Sequence, residues 1–476
     1  MGWLVLLPPI IAIILALWTR QVFLALFIGL WAGTTLLAGG NPIAGLRELA
    51  DQIVTVFADA GNTRVILFCL LVGGLLALVQ ASGGVEGFVQ WAQRRGWGTN
   101  RRSAEFMAWL IGTVIFVESS ISPLIVGAVS RPFFDRLKLP REKLAFYCDT
   151  TSAPVCMSIP LNGWGAFVLG LLAAQGIHEG QVALLAQALA FNFYSLLAIG
   201  LSLGVALTGW SWKSMREAEI RAQTTGALLR PGATPMVSEE IDTLEPVPHS
   251  PRNPLDLLIP LAVMVGMIFV GLYVTGNGNL MKGSGSTAVL WAVSTAILVA
   301  MLQYQIPRPL RGGKPILPLT HSIDLVLKGS AGLVPVTVLI VLAFALGQVS
   351  RALEMGPYLV GLVQGNLPGF LLPALIFAVA CAISFTLGSS WTTFAILIPV
   401  ALPLATGLGL SPALMLGALL SGGVFGDHAS PLSDTSIISS LAAASDHVDH
   451  IRTQLPFTLL VAGLSIILYL ISGWLG

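Results

Sequence analysis

Gly426-Asp-His-Ala-Ser-Pro-Leu-Ser-Asp-Thr-Ser436 decides how this chain is read. Two carboxylates, a histidine, a proline and four hydroxyls stand together between apolar runs. Asp427 and Asp434 lie seven residues apart, and Pro431 breaks any helix between them. Two helix caps alone rarely need a histidine and so many hydroxyls alongside. Working outward, the whole chain of 476 residues is 55% hydrophobic and 10% charged, with a mean hydropathy of +0.84. Soluble proteins carry about 25% charged residues, so lipid is the expected solvent. About ten apolar runs, from Trp3–Thr19 to Leu455–Trp474, have the length a hydrocarbon core of about 30 Å demands. The first is expected to be a retained span, since no basic n-region or small-residue cleavage site accompanies it.

Basic residues fall in a few loops: Arg94–Arg102, Arg131–Lys143, Lys213–Arg252 and Arg308–Lys328. The positive-inside rule makes these cytoplasmic. One ordinary crossing between the first two clusters would separate them, so the stretch about 106–130, interrupted at Glu118-Ser-Ser-Ile-Ser-Pro123, is expected to enter and return as a re-entrant hairpin. A second hairpin is expected over about 370–407, interrupted at Gly388-Ser-Ser-Trp-Thr-Thr393 and entering from the other side. Each is followed by a broken helix. The first covers about 143–173 and carries Asp149, Ser152, Asn162 and Trp164; the second covers about 411–441.

The expected fold is therefore an all-α integral membrane protein of about ten transmembrane helices plus two re-entrant hairpins. Residues 1–211 and 254–476 form the two halves of an inverted repeat whose broken helices meet at the midplane. Residues 212–253 read as a flexible cytoplasmic linker, being rich in Glu, Arg, Pro and Thr. Both termini then lie outside a bacterial-type cytoplasmic membrane. Broken helices at membrane depth are the recurring plan of secondary transporters, because irregular backbone survives there only against protein or a water-filled cavity.

A carboxylate at membrane depth costs at least about 2.5–3.5 kcal/mol on insertion scales, which marks Asp427, Asp434 and Glu118 as ion- or proton-binding groups. Asp149 reads equally as a helix cap or as part of the site. His428 reads as a core histidine or as a proton-relay and site-orienting group. Hydroxyl and carboxylate oxygens suit a hard cation such as Na⁺, with Asp427, Asp434, Ser433 and Thr435 as its candidate ligands. Ser152, Asn162, Trp164, Ser389, Ser390, Thr392, Thr393, Ser430, Ser433 and Thr435 are expected to line the site. Asp446, His447, Asp449, His450 and Arg452 read by default as a solvated turn, and Arg351 with Glu354 as a structural pair. The four cysteines form no CxxC and read as buried hydrophobes.

Gly426–Phe457 resembles the NhaC family of Na⁺/H⁺ antiporters, through its G-D-H-x-S-P-[IL]-S-D-T run and the following D-H-x-D-H-x-x-T-Q-x-P. Arg131-Pro132, Ser152-Ala-Pro-Val155 and Ser390-Trp391 support the resemblance, which covers most of the chain. It implies Na⁺-for-H⁺ exchange by alternating access, with a mobile core moving elevator-like against a scaffold. It implies no cofactor beyond Na⁺ and H⁺, and no nucleic-acid partner; dimers are common among elevator-type relatives. This chain departs from the family at the first hairpin. Glu118-Ser119-Ser120 stands where relatives carry two adjacent aspartates and a tyrosine, and Ser122 where they carry an asparagine. Relatives also include exchangers of organic acids, so coupled movement of a small organic acid or amino acid is the alternative. An intramembrane hydrolase is disfavoured: there is no HExxH, and adjacent Asp427 and His428 cannot easily form a His–Asp pair.

Overall fold

The computed structural model describes residues 2–19, 21–84, 87–88, 90–91, 100–116, 119, 121–177, 179–235, 253–306, 315–363 and 367–475. Every regular element among them is helical. Seven helices are long and apolar enough to cross a membrane, and ten spans result if each of three bent pairs counts as one. The chain is a multi-pass membrane protein.

Helices α1 (Leu7–Thr19), α2 (Val22–Leu37), α3 (Pro42–Ala58) and α4 (Ala60–Ala81) open the chain. The chain turns by 113° between α2 and α3, where Gly39 and Gly40 take positive φ and the Asn41 side chain caps α3. The first hairpin pairs α5 (Arg101–Val114) with α6 (Ile121–Arg136). It begins earlier than the apolar run suggests, because Asn100 and Ser103 form a capping box ahead of it. The broken helix after it has two interruptions rather than one: α7 (Arg141–Thr150), α8 (Ala153–Ser158) and α9 (Gly163–Ala174) follow in turn. Then come α10 (Gln181–Ala190), α11 (Phe193–Thr208) and α12 (Lys213–Thr225).

The second half runs through α13 (Leu255–Thr275), α14 (Gly285–Gln305), α15 (Leu319–Gly332), α16 (Val334–Ala352) and α17 (Met355–Val363). The hairpin α18 (Leu372–Leu387) and α19 (Ser390–Gly407) breaks at Gly388-Ser389. The broken helix α20 (Pro412–Ala429) and α21 (Asp434–Ala442) breaks at Ser430–Ser433, and α22 (His447–Leu475) closes the chain. The order hairpin, then broken helix, thus occurs in both halves.

Packing sorts these helices into two bodies. In the core, α18 and α19 pack on α20, while α5–α8, α11, α21 and α22 complete the group. In the frame, α4 packs on α14 and α15, α13 on α14, and α1–α3 with α16 beside them. The two bodies meet directly where α16 packs on α19, and α9 lies beside that contact, touching α4, α14 and α16 on one side and α19 on the other.

The hydrophilic segment 212–253 departs from the expected flexible linker over its first part. Lys213–Thr225 is helical and buries Met215, Ala218, Glu219 and Ala222; residues 236–252 lie outside the described residues. Its anchors are charges rather than large apolar side chains. Lys143 Nζ, almost wholly buried, sits 2.9 Å from Glu105 and 2.6 Å from Glu219, and Tyr147 donates its hydroxyl to Glu105. Arg221 meets Glu142 at 2.9 Å and Arg230 meets Asp449 at 3.0 Å. The loop residue Asp446 accepts from Thr234. Burial raises the Asp446 carboxyl, but the N–H groups of Thr234 and Asp449 and the Thr234 hydroxyl outweigh it and hold the group below its ordinary value. That hold is complete at neutral pH and is lost as pH falls through the acid range below 3.8. Two of the basic clusters therefore meet, with Lys143, Arg221 and Arg230 each paired to a carboxylate.

Lys143→Met leaves Glu105 and Glu219 buried without their shared cation, and is expected to lower stability by about 3–5 kcal/mol. Thermal unfolding in detergent against wild type checks this.

Candidate functional site

Asp427 lies in the last turn of α20, 2% exposed. Ser390, the first residue of α19, donates to its Oδ2 at 2.6 Å. Ser433, the residue that precedes α21, donates to Oδ1 at 2.6 Å. Thr435 stands 2.9 Å from Ser433 and 3.5 Å from Asp427 Oδ1. Each hydroxyl comes from a helix break, so the breaks are what bring donors to a carboxylate that burial would otherwise leave unsolvated.

Glycine makes this convergence possible. Gly388 ends α18 at φ +67, and a Cβ there would lie 2.5 Å from the Leu432 carbonyl. The left-handed turn therefore touches the Ser430–Ser433 break directly. Gly422 and Gly426 let α20 press on the backbone of α18 at Phe377, Cys381, Ser384 and Phe385, the close approach small residues allow in membranes. At Ser430 the side chain accepts from Leu432 N–H and shapes the turn.

Asp434 opens α21, its Oδ1 accepting from Thr435 N–H at 2.8 Å, and it is exposed to a cavity rather than packed. That cavity of about 240 Å³ lies between the two bodies. Its polar wall is Ser119, Ser389, Asp427, Asp434 and Thr435; its apolar wall comes from the frame, at Cys69 and Val72 of α4 and Leu333, Pro335 and Leu339 beside or on α16. Trp164 and Trp391 close one side, their rings 5.5 Å apart.

The other expected lining residues act behind this surface. Asn162 caps α9 through Trp164 and Gly165 N–H and gives its amide protons to the carbonyls of Phe116, Cys156 and Ile159. It braces the second break against the first hairpin. Ser152 donates to the Ser119 carbonyl, and Thr392 and Thr393 bond to Ser389. Glu118 lies outside the described residues. His428 turns away from the cavity: Nε2 is 3.0 Å from the Thr150 hydroxyl and Nδ1 2.8 Å from the Tyr194 hydroxyl. Among the described residues no ion pair joins Arg351 to Glu354.

Asp149 is no cap. It sits inside the last turn of α7, fully buried, with Oδ2 accepting from Ser436 at 2.8 Å and Gln454 at 2.7 Å. The turn expected to be solvated is buried too: His450 is 0% exposed, Asp449 6% and Asp446 7%. Charge density misled the reading there, because the partners Arg230, Thr234 and Asp149 are remote in sequence. Trp391 and Gln454 stood in the quoted hairpin and resemblance stretches without a role of their own, and nothing local pointed to Tyr194.

A family model described as the Na⁺/H⁺ antiporter family matches residues 164–474. An uncharacterised protein of Haemophilus influenzae is 32% identical over 98% of this chain and 90% of its own. The arginine/ornithine antiporter ArcD of Halobacterium salinarum is 40% identical over 22% of each chain. Among solved structures, Neisseria gonorrhoeae MtrF, titled as one of a class of antimetabolite efflux pumps, superposes with a TM-score of 0.55. It covers 90% of this chain and 84% of its own at 14% identity, a likeness of fold.

Two glycines separate backbone strain from contact. Gly409 has φ +68 with open space around it, whereas Gly388 has φ +67 against Leu432. Alanine at either costs about 1–2 kcal/mol for the left-handed backbone. Gly388→Ala is expected to lower the Tm in detergent clearly further than Gly409→Ala.

Proposed function

This chain belongs to the Na⁺/H⁺ antiporter family, and from that membership and the geometry of Asp427 we propose that it exchanges Na⁺ for H⁺ across a bacterial-type cytoplasmic membrane by alternating access. The observation that carries the reading is one buried carboxylate whose two oxygens each face a hydroxyl from a different helix break, at the wall of a cavity. Carboxylate and hydroxyl oxygens form a hard donor set that suits Na⁺ as cargo. The carbonyls at the C-terminal end of α20 add negative potential beside Asp427. Asp434, Ser433 and Thr435 complete the candidate ligands.

Exchange needs the site to be emptied of Na⁺ without leaving bare charge in a membrane. Protonation of the buried carboxylates meets that need, since a cation and a proton each neutralise the same region and so exclude one another. The cavity lies between frame and core, so displacement of the core against the frame changes which side it opens to. In this reading residues 1–211 and 254–476 are inverted halves, joined by 212–253, each supplying one re-entrant hairpin and one broken helix. Both termini are external, and the frame offers its outer face for a homodimer. The chain is a transporter and not an enzyme, as its family and named curated relatives are antiporters.

The cavity favours a second reading. Its 240 Å³ is about eight times the volume a liquid water occupies, far more than a bare ion needs. Two tryptophans and an apolar wall line it. A small organic acid or amino acid fits that space, moved with Na⁺ or H⁺ coupling, and an amino-acid antiporter is among the relatives.

In proteoliposomes carrying an internal pH dye, a pulse of external Na⁺ without organic solute is expected to drive proton movement. Asp427→Asn and Asp434→Asn are each expected to abolish it in folded, inserted protein. Ser390→Ala, which removes one hydrogen bond to a charged group worth about 1.5–3 kcal/mol, is expected to raise the Na⁺ concentration needed by about tenfold or more. Proton movement only when an organic acid or amino acid is added selects the second reading.

A further inference from the structure

A line of titratable side chains runs from the surface of the core to Asp149 without entering the cavity. His447 is half-buried and its Nε2 lies 2.9 Å from the Pro431 carbonyl in an exposed position. Its Nδ1 is 2.8 Å from Ser440 Oγ, and the same oxygen is 2.8 Å from His450 Nδ1. His450 Nε2 is 3.0 Å from Gln454 Oε1 and 3.8 Å from Asp149 Oδ2. Gln454 gives its amide protons to Asp149 Oδ2 and to the His428 carbonyl, so its orientation is fixed and Oε1 must accept.

These partners decide where hydrogens sit. Pro431 O and Gln454 Oε1 are acceptors only, so both neutral imidazoles carry their hydrogen on Nε2. Both bare Nδ1 atoms then point at one hydroxyl, Ser440, which also reaches the Ser436 carbonyl and has one hydrogen to give. The trio is one proton short, a place built to receive one. At the far end Asp149 has no hydrogen-bond partner for Oδ1, and Oδ2 has two neutral donors with no arginine or lysine within 4 Å among the described residues. Asp427 differs, since both of its oxygens are taken by hydroxyls at the cavity.

We infer that protons reach Asp149 through His447, Ser440 and His450, a path apart from the cavity where Na⁺ binds Asp427. The inference rests on the exchange reading above and divides the labour between its carboxylates. The half-buried His447 ring swings its bare Nδ1 to water, takes a proton there and returns to Ser440 as the imidazolium. Its Nδ1–H passes to Ser440 Oγ as Ser440 passes its own hydrogen to His450 Nδ1. The His450 imidazolium turns from Gln454 and gives its Nε2 proton to Asp149 Oδ2. One proton moves from water to Asp149 and nothing else is consumed; His450 is left with its hydrogen on Nδ1 and returns to the Nε2–H tautomer before the next proton. Ser436 then couples the two sites: its hydroxyl lies 2.8 Å from Asp149 Oδ2 and 3.3 Å from the Asp427 carbonyl.

Charged and titratable neighbours face this path from every side. Asp434 begins the same helix as Ser440, and His428 packs from α20. Asp446 and Asp449 flank His447, Asp449 being held by Arg230. Arg131 and Arg141 bond the Ala442 and Ala443 carbonyls at the end of α21.

The test compares two activities of the same proteoliposomes: Na⁺-driven proton movement, and exchange of radioactive Na⁺ for Na⁺, which needs no proton. His450→Gln and the more exposed His447→Ala are expected to lose proton movement about 100-fold, the low end of what positioned acid–base groups supply. Na⁺-for-Na⁺ exchange is expected at the wild-type rate in both, and added imidazole is expected to restore proton movement in His447→Ala. Wild-type proton movement in both variants overturns the path and leaves Na⁺/H⁺ exchange standing. Equal loss of both activities in both variants also overturns it, since the histidines then only hold the fold. A wild-type protein that moves no protons with Na⁺ rejects the exchange reading and the path together.

Discussion

A carboxylate inside a membrane protein has to be given hydrogen-bond donors, and Asp427 obtains them only because two helices stop beside it. Ser390 and Ser433 can reach its oxygens because each stands where a helix begins, with backbone on its preceding side free to turn. Those breaks in turn leave carbonyls and N–H groups without partners inside a helix. Side chains answer for them: Ser389 caps α19, Ser430 closes the turn before α21, and Asn162 serves three carbonyls and two N–H groups in the first half. The demand of one buried charge thus propagates into a requirement for polar residues at every break.

The opposite solution operates where the basic segments meet. There Lys143, Glu105, Glu219, Glu142 and Arg221 are buried as ion pairs. Such pairs add little net stability over apolar packing but are costly to break singly. They tie α12 to α5 and α7, and Arg230 with Thr234 extends the tie to the turn before α22. The first hairpin, the first broken helix and the last helix therefore share one clamp. The cavity has no such clamp on its frame side, where Cys69, Val72 and Leu339 offer only apolar contact. Apolar surface is non-directional and lets one body slide on another, whereas ion pairs fix register. The core is packed on apolar side chains and tied by charge at this one end, and at the cavity it meets the frame through apolar contact.

The sequence disclosed this architecture unevenly, and the physical reason is locality. A polar break inside an apolar run contradicts its surroundings, so Glu118–Pro123, Gly388–Thr393 and Gly426–Ser436 stood out without any knowledge of the fold. Lys143 and His450 did not, because a charged residue in a polar segment looks solvated until its partner arrives from another helix. Helix α12 was misread for the same reason: it has few large apolar residues and docks through Glu219 and Arg221. Asn162 and Ser152 were legible as polar residues at depth, but their employment on backbone carbonyls depends on a hairpin tip far off in sequence. The pairing of Trp164 with Trp391 is likewise a product of topology.

Two carboxylates that never touch are a better basis for coupled exchange than one carboxylate visited in turn. A single site can release its cation only after a proton has entered the same cavity, by the route the cation must leave. On the proposed path, the proton arrives at Asp149 behind the Ser436 hydroxyl, which also reaches the Asp427 main-chain carbonyl, while the cation departs in front. Charge at either carboxylate raises the cost of charge at the other, and this coupling is reciprocal by necessity. In the proposed exchange, neutralising Asp149 by a proton lowers the negative charge felt at Asp427 and Asp434, and neutralising that pair by Na⁺ does the converse. Ser436 links the two sites through the Asp427 main chain, its hydroxyl reaching the Asp149 carboxylate and the Asp427 carbonyl. A low-dielectric interior screens charge at one carboxylate from the other only weakly.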